Sequence, residues 1–467
     1  MSRTLLSALI ALAIAAPCAA ATPAKTTLTP EQARGREIYS KLISYKTSEG
    51  NGQVPVMAAW LAQQFRDAGI PDADIHLLPV GETASLVVRY RGDGTGGKPI
   101  LLMAHMDVVA ADPKDWTRDP FTLIEENGYF FGRGTSDVKD GVATLSTTFL
   151  RLKKEKFVPT RDLVIVFTGD EETQMATTQD LVNHHKDLLD ADYALNYDGG
   201  GGTLEETGQP RTYSIQTAEK TYADYELTVH NPGGHSSWPR PDNAIYQLAD
   251  ALKKVQAYRF PTMWNDTTLA EFTAEGKVAP GELGAAMRDF AKNPRDESAV
   301  ERLTKDTSQI GRTRTTCVAT MLRGGHAKNA LPQSAVANIN CRIFPGVAIE
   351  DVRKTLQEQV GPGVEVTTTD HPTASDASPL RPDVMEAVTR AIHKIHPGVQ
   401  IVPNQASGAS DGLYFRAAGI PTYGVGGMFI KDSDSFAHGL NERVPVKGFY
   451  DGLDYWYALM KDLGGKR

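Results

Sequence analysis

The chain has 467 residues, 41% of them hydrophobic and 23% charged, and its formal net charge is −8 at pH 7. This length and composition predict a globular protein of two domains. An acidic chain without a basic stripe offers no surface for nucleic acid or anionic lipid, so neither is expected as a partner.

The N-terminal residues indicate export. Arg3 precedes the apolar stretch LLSALIALAIAA at 5–16, and the small residues of PCAAATPA follow. The stretch is too short to span a bilayer as a folded helix. We therefore predict a signal peptide over 1–21, cut near Ala20 or Ala21, and a periplasmic or secreted protein. A retained membrane anchor is the alternative. No later segment is apolar enough to span a membrane.

The first half of the chain alternates predicted helices and strands. Helical spacing of apolar residues covers much of 30–70, and a further helix is predicted at 140–156. Short, continuous apolar runs accompany them: SLVVRY (85–90), PILLMAH (99–105), LVIVFTG (163–169) and YALNYD (193–198). Such strands, alternating with helices, are typical of an α/β fold with a largely parallel sheet flanked by helices.

The pattern changes near residue 221, where TYADYELTVH alternates as an antiparallel strand does. A helix at 243–258, strands at 315–323 and 335–343, a helix at AIEDVRKTLQEQV and a strand at VEVTTT follow. This order predicts a ferredoxin-like α+β unit. The polar residues 259–312 are predicted to be helical, without a defined place in this unit.

One domain is predicted to be inserted in another. The apolar run IPTYGVGG at 420–427 is expected to return to the first sheet. The catalytic domain would then comprise 25–220 and 372–467, and the inserted lid or dimerisation domain would comprise 221–371.

Cys317 and Cys341 would remain after signal cleavage, which removes Cys18. They are equidistant from Asn329, so a hairpin centred there would bring them opposite each other, within reach of a disulfide. An oxidising exported compartment favours that bridge. Two separate free thiols are the alternative, because a shift of one residue in register would separate the pair.

Potential metal ligands lie just past the carboxyl ends of the predicted strands, where open α/β sheets bind their ligands. His105 and Asp107 come at the end of one strand, an acidic run comes after the next, and Asp198 ends a third. Asp137 lies in a loop that enters a helix, and His438 lies in FAHGLNE. Singly, each would more often be a turn, a cap or a structural histidine. As a set at one rim, they indicate an oxygen-rich dinuclear metal site.

Nine motifs extend this argument. HMDVV, GRGTSDVKDG, GDEET and YDGG are followed by GGHSS, NALP, NCRIFPG, SGASDG and AHGLNE. In this order they closely resemble the M20 family of dizinc metallopeptidases, which includes glutamate carboxypeptidases, dipeptidases and aminoacylases. The resemblance runs from about residue 35 to residue 460.

The resemblance implies five metal ligands. His105 would ligate one zinc and His438 the other, with Asp137 bridging both. Glu172 and Asp198 would be terminal ligands, one on each metal. Two Zn²⁺ are the implied cofactors, and Co²⁺ or Mn²⁺ also suit mixed histidine and carboxylate ligation.

Two further residues would serve catalysis without binding metal. Asp107 would hydrogen-bond the ring of His105 and fix its tautomer. Glu171 would be the general base that takes a proton as a metal-bridging hydroxide attacks the scissile carbonyl, and would then protonate the leaving nitrogen. The three ligand carboxylates and the hydroxide would neutralise two divalent cations, which leaves Glu171 free to carry a proton. Asp170 has no predicted role beyond the turn.

The resemblance also implies contacts with the substrate. His235 in GGHSS would reach an active site, often that of the partner subunit. Asn329 and Arg342 would bind a substrate carboxylate, for which the planar fork of arginine is suited. Gly408 and Ser410 would line the cleft. The alternatives are a structural histidine, a surface salt bridge for Arg342 and a simple turn at SGASDG.

The predicted function is that of an exported dinuclear zinc exopeptidase acting on short peptides with a free C-terminal carboxylate. An aspartate at 198, rather than a glutamate, resembles the peptidases of the family more than its acylases. An N-acyl amino acid amidohydrolase with the same metal chemistry is the alternative. A binding module without catalysis is disfavoured because every candidate ligand and the base are present.

A homodimer through the lid is also implied, and the added residues 259–312 leave open whether His235 acts in cis or in trans.

Overall fold

A computed structural model describes residues 27–465, and the signal peptide predicted over 1–21 lies outside this range. The α-helices of the described residues are, in chain order, α1 (Pro30–Ile43), α2 (Val54–Asp67), α3 (Lys139–Lys154), α4 (Ala176–His184), α5 (Lys186–Leu189), α6 (Ala244–Ala257), α7 (Asp266–Val278), α8 (Gly281–Lys292), α9 (Glu297–Thr304), α10 (Thr307–Ile310), α11 (Ile349–Val360), α12 (Pro382–Ile395), α13 (Gly412–Ala417) and α14 (Val446–Gly464).

The strands of the described residues are β1 (Ile75–Val80), β2 (Thr83–Tyr90), β3 (Ile100–His105), β4 (Ile124–Glu126), β5 (Tyr129–Phe131), β6 (Leu163–Thr168), β7 (Tyr193–Asn196), β8 (Gly201–Leu204), β9 (Pro210–Glu219), β10 (Thr221–His230), β11 (Gly234–His235), β12 (Thr316–Gly324), β13 (Ala330–Leu331), β14 (Ser334–Ile343), β15 (Glu365–Thr368), β16 (Gln400–Ala406), β17 (Thr422–Gly424), β18 (Phe429–Lys431) and β19 (Arg443–Pro445).

The main sheet has ten strands in the order β1-β2-β6-β3-β7-β17-β9-β8-β18, with β16 paired to β9. Its centre, β6-β3-β7-β17, is parallel. Strand β2 runs antiparallel to β1 and β6, and β9 runs antiparallel to β17 and β8. The predicted α/β class is therefore confirmed, with a mixed sheet whose parallel part is its middle. The predicted return of 420–427 to this sheet is made by β17, which pairs with β7.

A hydrophobic core covers each face of this sheet. In β3, Leu102 and Ala104 face the larger core, to which α1, α2, α3, α12 and α14 contribute. Leu101 and Met103 face a smaller core with residues of α4 and α13. Every residue of β3 is buried, which is why its sequence is apolar throughout and does not alternate.

A second, four-stranded sheet is antiparallel and has the order β12-β14-β10-β15. Its core also contains residues of α6 and α11. Strand, helix, two strands, helix and strand succeed one another as predicted for a ferredoxin-like unit. The division of the chain into a catalytic domain and a lid stays a prediction.

Cys317 and Cys341 form a disulfide between β12 and β14, with their sulfur atoms 2.00 Å apart. The register of this hairpin is not uniform. Near its turn Gly324 pairs with Ala335, one residue away from the symmetric register that the sequence predicts. A bulge at Thr320 takes up the extra residue of β12 and brings the two cysteines opposite each other.

The residues 259–312 contain α7, α8, α9 and α10, which have a small core of their own around Phe272, Met287 and Phe290. Helix α7 packs against β16 of the main sheet, where Asn404 Nδ2 donates a hydrogen bond to Glu271 Oε1 at 2.6 Å. The chain therefore departs from the four-stranded unit after α6, forms this insertion against the main sheet, and returns to the unit at β12. Across 27–465, none of the helices combines the length and the apolar character that crossing a membrane would need.

Candidate metal centre

The carboxyl ends of β3, β6 and β7 meet at one rim of the main sheet. These three strands are parallel neighbours, so the residues just past their ends converge. His105 is the last residue of β3, Asp170 to Glu172 come after β6, and Asp198 lies two residues beyond β7. The acidic run after the buried strand β6 is therefore held beside the end of β3.

Two groups of potential ligands share one carboxylate. His105, Asp137 and Asp198 form the first group, and Asp137, Glu172 and His438 form the second. Within each group the ligand atoms lie within 4.8 Å of one another. His105 Nε2 lies 3.0 Å from Asp137 Oδ1, and His438 Nε2 lies 3.0 Å from Asp137 Oδ2. Asp137 thus presents a different oxygen to each histidine, as a carboxylate that bridges two metals does.

The donor set fits two divalent cations. Each group offers one imidazole nitrogen and two carboxylates, a mixture that suits Zn²⁺, Co²⁺ or Mn²⁺. Burial raises the pKa of Glu172 to about 7, and burial likewise raises the pKa of Asp198 to about 7. In the described part of the chain, no lysine or arginine forms an ion pair with either carboxylate or with Asp137. Without a cation between them, these acids compete for protons.

The pKa values of the two histidines are also raised, but by the neighbouring carboxylates and not by burial. Burial alone would lower the pKa of His105, but the neighbouring carboxylates Asp107 and Asp137 raise it well above its usual value. The hydrogen bond to Asp137 raises the pKa of His438 to about 9. The pKa of Asp137 falls far below its usual range, because its hydrogen bonds to both histidines outweigh its burial. Without metal, the two rings therefore supply the positive charge of this cluster.

Asp107 lies behind the ring of His105. The backbone carbonyl of Asp107 lies 3.0 Å from His105 Nδ1, and its Oδ1 lies 3.5 Å from the same nitrogen. Its two carboxylate oxygens accept hydrogen bonds from the backbone N–H groups of Glu171 and Glu172, at 3.1 and 3.0 Å. Asp107 therefore orients the ring of His105 through its backbone carbonyl and the acidic run after β6 through its carboxylate.

Glu171 and Asp170 differ although they are adjacent. No hydrogen bond of the Glu171 carboxylate occurs within 27–465, and burial raises its pKa to about 10. Asp170 instead accepts hydrogen bonds from the N–H groups of Ala176 and Thr177 at the start of α4. Asp170 thus stabilises a turn and a helix terminus, whereas the carboxylate of Glu171 is left without a partner.

Arg133 and Glu442 connect the segments that carry Asp137 and His438. Their buried side chains lie 2.7 Å apart. Glu442 also accepts hydrogen bonds from the backbone N–H groups of Gly134, Ser136 and Asp137. Arg133 Nη2 donates to the carbonyl of His438, which has a φ of 63°, a left-handed conformation that is uncommon for residues other than glycine. The pair therefore constrains both loops.

Asp411 was not predicted from the sequence. It is a further buried carboxylate near the ligand cluster. Its two oxygens accept hydrogen bonds from the hydroxyls of Thr168, at the end of β6, and Thr178, in α4. Burial raises its pKa to about 6. Asp411 lies in the motif SGASDG, and Glu442 lies in the motif AHGLNE. Their position beside a predicted substrate or ligand residue was the sequence signal that could have identified them.

The predicted substrate residues of the four-stranded unit make no described contact with the ligand cluster. His235 is exposed, and its Nδ1 lies 2.7 Å from Ser237 Oγ. Asn329 lies beside it, since its carbonyl accepts a hydrogen bond from Ser236 N. Arg342 Nη1 donates to the carbonyl of Ser407, which joins the four-stranded unit to the loop SGASDG.

Within SGASDG the two predicted residues differ. Gly408 is exposed, and the space around its Cα is open. Ser410 is buried, and its hydroxyl donates to Glu219 Oε1 at 3.3 Å. The structure therefore brings together His105, Asp107, Asp137, Glu171, Glu172, Asp198 and His438. Ser410 is linked to Asp198 through Asn196, whose amide donates to Ser410 Oγ and accepts the N–H of Asp198. The described contacts link none of His235, Asn329, Arg342 or Gly408 to that cluster.

Comparison with known proteins gives a consistent family. The model of peptidase family M20/M25/M40 matches residues 101–462. An N-fatty-acyl-amino acid synthase/hydrolase of Xenopus tropicalis is 28% identical over 389 residues, which cover 81% of this chain and 75% of that protein.

Two solved structures illustrate the similarity in fold. An M20 family metallo-carboxypeptidase of Sulfolobus solfataricus aligns with a TM-score of 0.65 at 18% identity, covering 94% of this chain and 100% of the other. A dinuclear metal-binding M20 peptidase of Bacillus subtilis aligns with a TM-score of 0.59 at 12% identity, covering 92% and 97%.

Proposed function

The chain belongs to peptidase family M20/M25/M40, and we propose that it is a dinuclear zinc exopeptidase that cleaves short peptides with a free C-terminal carboxylate. One observation carries the proposal. Two ligand groups share Asp137, and a glutamate without a partner, Glu171, lies next to one of their members. A metal-binding protein without catalysis has no need of that free carboxylate.

The proposed zinc ligands are the members of the two groups. His105 and Asp198 would hold one ion, Glu172 and His438 would hold the other, and Asp137 would contact both. When bound, the zinc ions supply Lewis-acid activation of a water molecule and of the scissile carbonyl. Asp107 holds the ring of His105 in the orientation that turns its Nε2 towards Asp137, where a metal would bind.

Glu171 is proposed to move the proton. Its raised pKa marks a carboxylate that binds a proton readily in this buried setting, and bound cations would bring that pKa down towards neutrality. It would accept a proton from the attacking water and pass it to the leaving nitrogen. Because the N–H groups of Glu171 and Glu172 bond to the same carboxylate, the base and a ligand are positioned together.

The free carboxylate of the substrate is proposed to bind at Arg342, with Asn329 and Gly408 nearby in the closed cleft. Arg342 already contacts the loop SGASDG through the carbonyl of Ser407, and its guanidinium lies 4.7 Å from the ring centre of Tyr222. In the described part of the chain it has no carboxylate partner, so its charge is available to an anion.

We further propose a homodimer through the four-stranded unit. Strand β12 lies at the edge of its sheet, and from Val318 to Gly324 every residue is exposed. Met321 and Leu322 are each 68% exposed, and Trp238 is 78% exposed. A long apolar edge of this kind favours pairing with a second copy. His235, which lacks a contact with its own ligand cluster, would then reach the site of the partner.

The alternative function is the hydrolysis of N-acyl amino acids. It is favoured by the relative from Xenopus tropicalis, whose name describes an N-fatty-acyl-amino acid synthase/hydrolase. Both reactions cleave an amide whose leaving amine carries a free carboxylate, so the same metal centre serves either. They differ in the group on the acyl side of the scissile bond.

Export to the periplasm or the medium is proposed on two grounds. The N-terminal residues have the composition of a signal peptide. The disulfide between Cys317 and Cys341 is of a kind that persists in oxidising compartments.

A digest of mixed peptides and N-acyl amino acids by the zinc-loaded protein, analysed by mass spectrometry, tests the function. Release of single residues from peptide C-termini is expected. Cleavage of dipeptides alone would narrow the enzyme to a dipeptidase. Cleavage of N-fatty-acyl amino acids with every peptide left intact would overturn the exopeptidase.

A further inference from the structure

A cavity of about 390 Å³ lies beside the metal centre. Its wall includes Asp107, which bonds to the backbone of Glu171, together with residues of the loop that carries Glu171 and Glu172. On its other side lie the loop 47–53 and the turn 80–83 between β1 and β2. Glu171 itself does not line the cavity, and Asp107 connects the wall of the cavity to the backbone of that residue.

The wall of this cavity carries four carboxyl groups, from Glu49, Glu82, Asp107 and Asp170, and no lysine, arginine or histidine. Asp107 and Asp170 already accept backbone N–H bonds. Glu49 and Glu82 are exposed, and their carboxylates have no ion pair or hydrogen bond among residues 27–465. Two of the four acids are therefore free to bind a cation.

A second observation points to a ligand. Thr47 lines the same cavity and is only 1% exposed, yet its hydroxyl has no hydrogen-bond partner within the described chain. A buried hydroxyl without a partner costs free energy unless something that enters the cavity binds it. An ammonium or guanidinium group, which donates several hydrogen bonds, would satisfy this hydroxyl and the two free carboxylates together.

The loop that brings these groups together is tightly turned. Gly50 and Gly52 have φ values of 78° and 60°, which residues with a side chain rarely adopt. Thr83 Oγ1 donates to the carbonyl of Gly169, so the turn 80–83 is held against the end of β6. The side of the wall that carries Glu82 is thus fixed to the rim that carries the metal ligands.

We propose that this cavity, defined by Thr47, Glu49 and Glu82, binds a cationic nitrogen on the acyl side of the scissile amide. The proposal rests on the proposed hydrolysis at the metal centre and deepens it by naming a substrate class. The cation is either the side chain of a lysine or arginine at the cleaved bond, or the amino terminus of a longer peptide.

Two matched pairs of substrates separate the sources of the cation, each with leucine as the leaving residue. The first pair is N-acetyl-lysyl-leucine and N-acetyl-norleucyl-leucine, which differ by the charged group at the end of the side chain. The second pair is alanyl-alanyl-leucine and its N-acetylated form, which differ by the amino terminus. The charged member of at least one pair is expected to have a kcat/KM about tenfold higher.

Two variants of the zinc-loaded protein assign that preference to the cavity. Glu49→Gln and Glu82→Gln, singly and together, are expected to reduce the ratio within the preferred pair towards one. The uncharged substrates should be cleaved at an unchanged rate, because neither residue contacts the metal centre. Glu358→Gln removes the same charge from the surface of α11 and should leave the ratio unaltered.

Each outcome is decisive. A preference in the lysine pair alone assigns the side chain, and a preference in the tripeptide pair alone assigns the amino terminus. Equal rates within both pairs, or a preference that survives both substitutions, would overturn the cation site while leaving the hydrolase intact. Failure to cleave any of the four substrates, with N-fatty-acyl amino acids cleaved instead, would overturn the proposed exopeptidase and the cation site with it.

Discussion

The carboxylate of Glu442 lies 2.7 Å from the guanidinium of Arg133, and both side chains are almost fully buried. This ion pair joins two loops that are distant in the sequence. The carboxylate also accepts the N–H of Asp137, and the guanidinium donates to the carbonyl of His438. The relative position of two proposed ligands therefore depends on a pair that itself binds no metal.

Glu442→Gln should weaken metal binding without unfolding the protein. The amide keeps the size of the side chain but replaces one acceptor with a donor, which faces Arg133 and backbone N–H groups. We expect zinc affinity to fall about tenfold to a hundredfold, as for other residues that position metal ligands. Competition with a chromophoric chelator measures this change.

Asp192→Asn, which breaks an ion pair at the opposite end of β7, is the control and should leave zinc affinity unchanged. Equal effects of the two substitutions would contradict a positioning role.

Asp137 and Asp198 should differ in how much metal their loss releases. Asp137 belongs to both ligand groups, whereas Asp198 belongs to one. Asp137→Ala is therefore expected to lower the affinity of both sites, and Asp198→Ala that of a single site. Metal analysis after dialysis should find nearly no zinc on the first variant and about one ion per chain on the second. The same stoichiometry for both variants would show that Asp137 is not shared.

Glu171→Gln should keep its metal and lose its activity. The side chain contacts no other residue through a hydrogen bond in the described chain, so its loss leaves the ligand groups undisturbed. Turnover is expected to fall by about a hundredfold to ten-thousandfold, the range for removal of a general base. Steady-state kinetics and metal analysis on the same preparation measure both properties. Retained turnover, or a loss of zinc in parallel with activity, would refute the assignment.

Removal of metal should destabilise the protein more at high pH than at low pH. In the metal-free protein, burial raises the pKa values of Glu172 and Asp198 to about 7, and the bond to Asp137 raises that of His438 to about 9. The folded state then holds protons that the unfolded chain releases, so this stability is present at low pH and is lost as pH rises through these values. Bound metal replaces those protons.

The melting temperatures of metal-free and zinc-loaded protein measure this effect. The gap between them should widen from about pH 5 to about pH 8.5, because the metal-free form loses stability over that interval. A difference that stays constant or narrows would mean that ionisation of these groups does not destabilise the metal-free protein. Equal melting temperatures for the two forms would mean that bound metal does not offset the repulsion among these acids.

A dimer in which His235 acts in trans predicts complementation. His235→Ala and Glu171→Ala should each be inactive alone, but one site of a mixed dimer combines the intact Glu171 of one subunit with the intact His235 of the other. Mixing the two after dissociation should restore about a quarter of wild-type activity. Leu322→Lys, placed on the exposed edge strand, should give monomers by light scattering. No recovery from a mixture proven to exchange subunits would assign His235 to its own chain.

The position of the metal ligands at one rim of the sheet could be predicted from the sequence, because neighbouring parallel strands end at the same edge. The apolar runs that end at His105 and Thr168 are continuous, so both strands could be assigned and their ends compared. The antiparallel flanks of the sheet were not predicted, because burial on both faces gives the same apolar run in either direction.

The features that sequence reasoning missed depend on contacts between distant segments. Glu442 and Arg133 are separated by more than three hundred residues, and no periodic pattern connects them. The acidic cavity combines a loop near Thr47 with a turn at Glu82 and the end of β6. The bulge at Thr320 shows a subtler limit, since the cysteine pairing was predicted from a symmetric hairpin that the real register reaches only through an irregularity.

We propose that one carboxylate, Asp137, is shared by two metal sites. Diffraction from zinc-loaded crystals at the zinc absorption edge would locate both ions. We expect two anomalous peaks on either side of Asp137, one beside His105 and Asp198 and the other beside Glu172 and His438. A single peak, or zinc bound to residues outside these two groups, would contradict it.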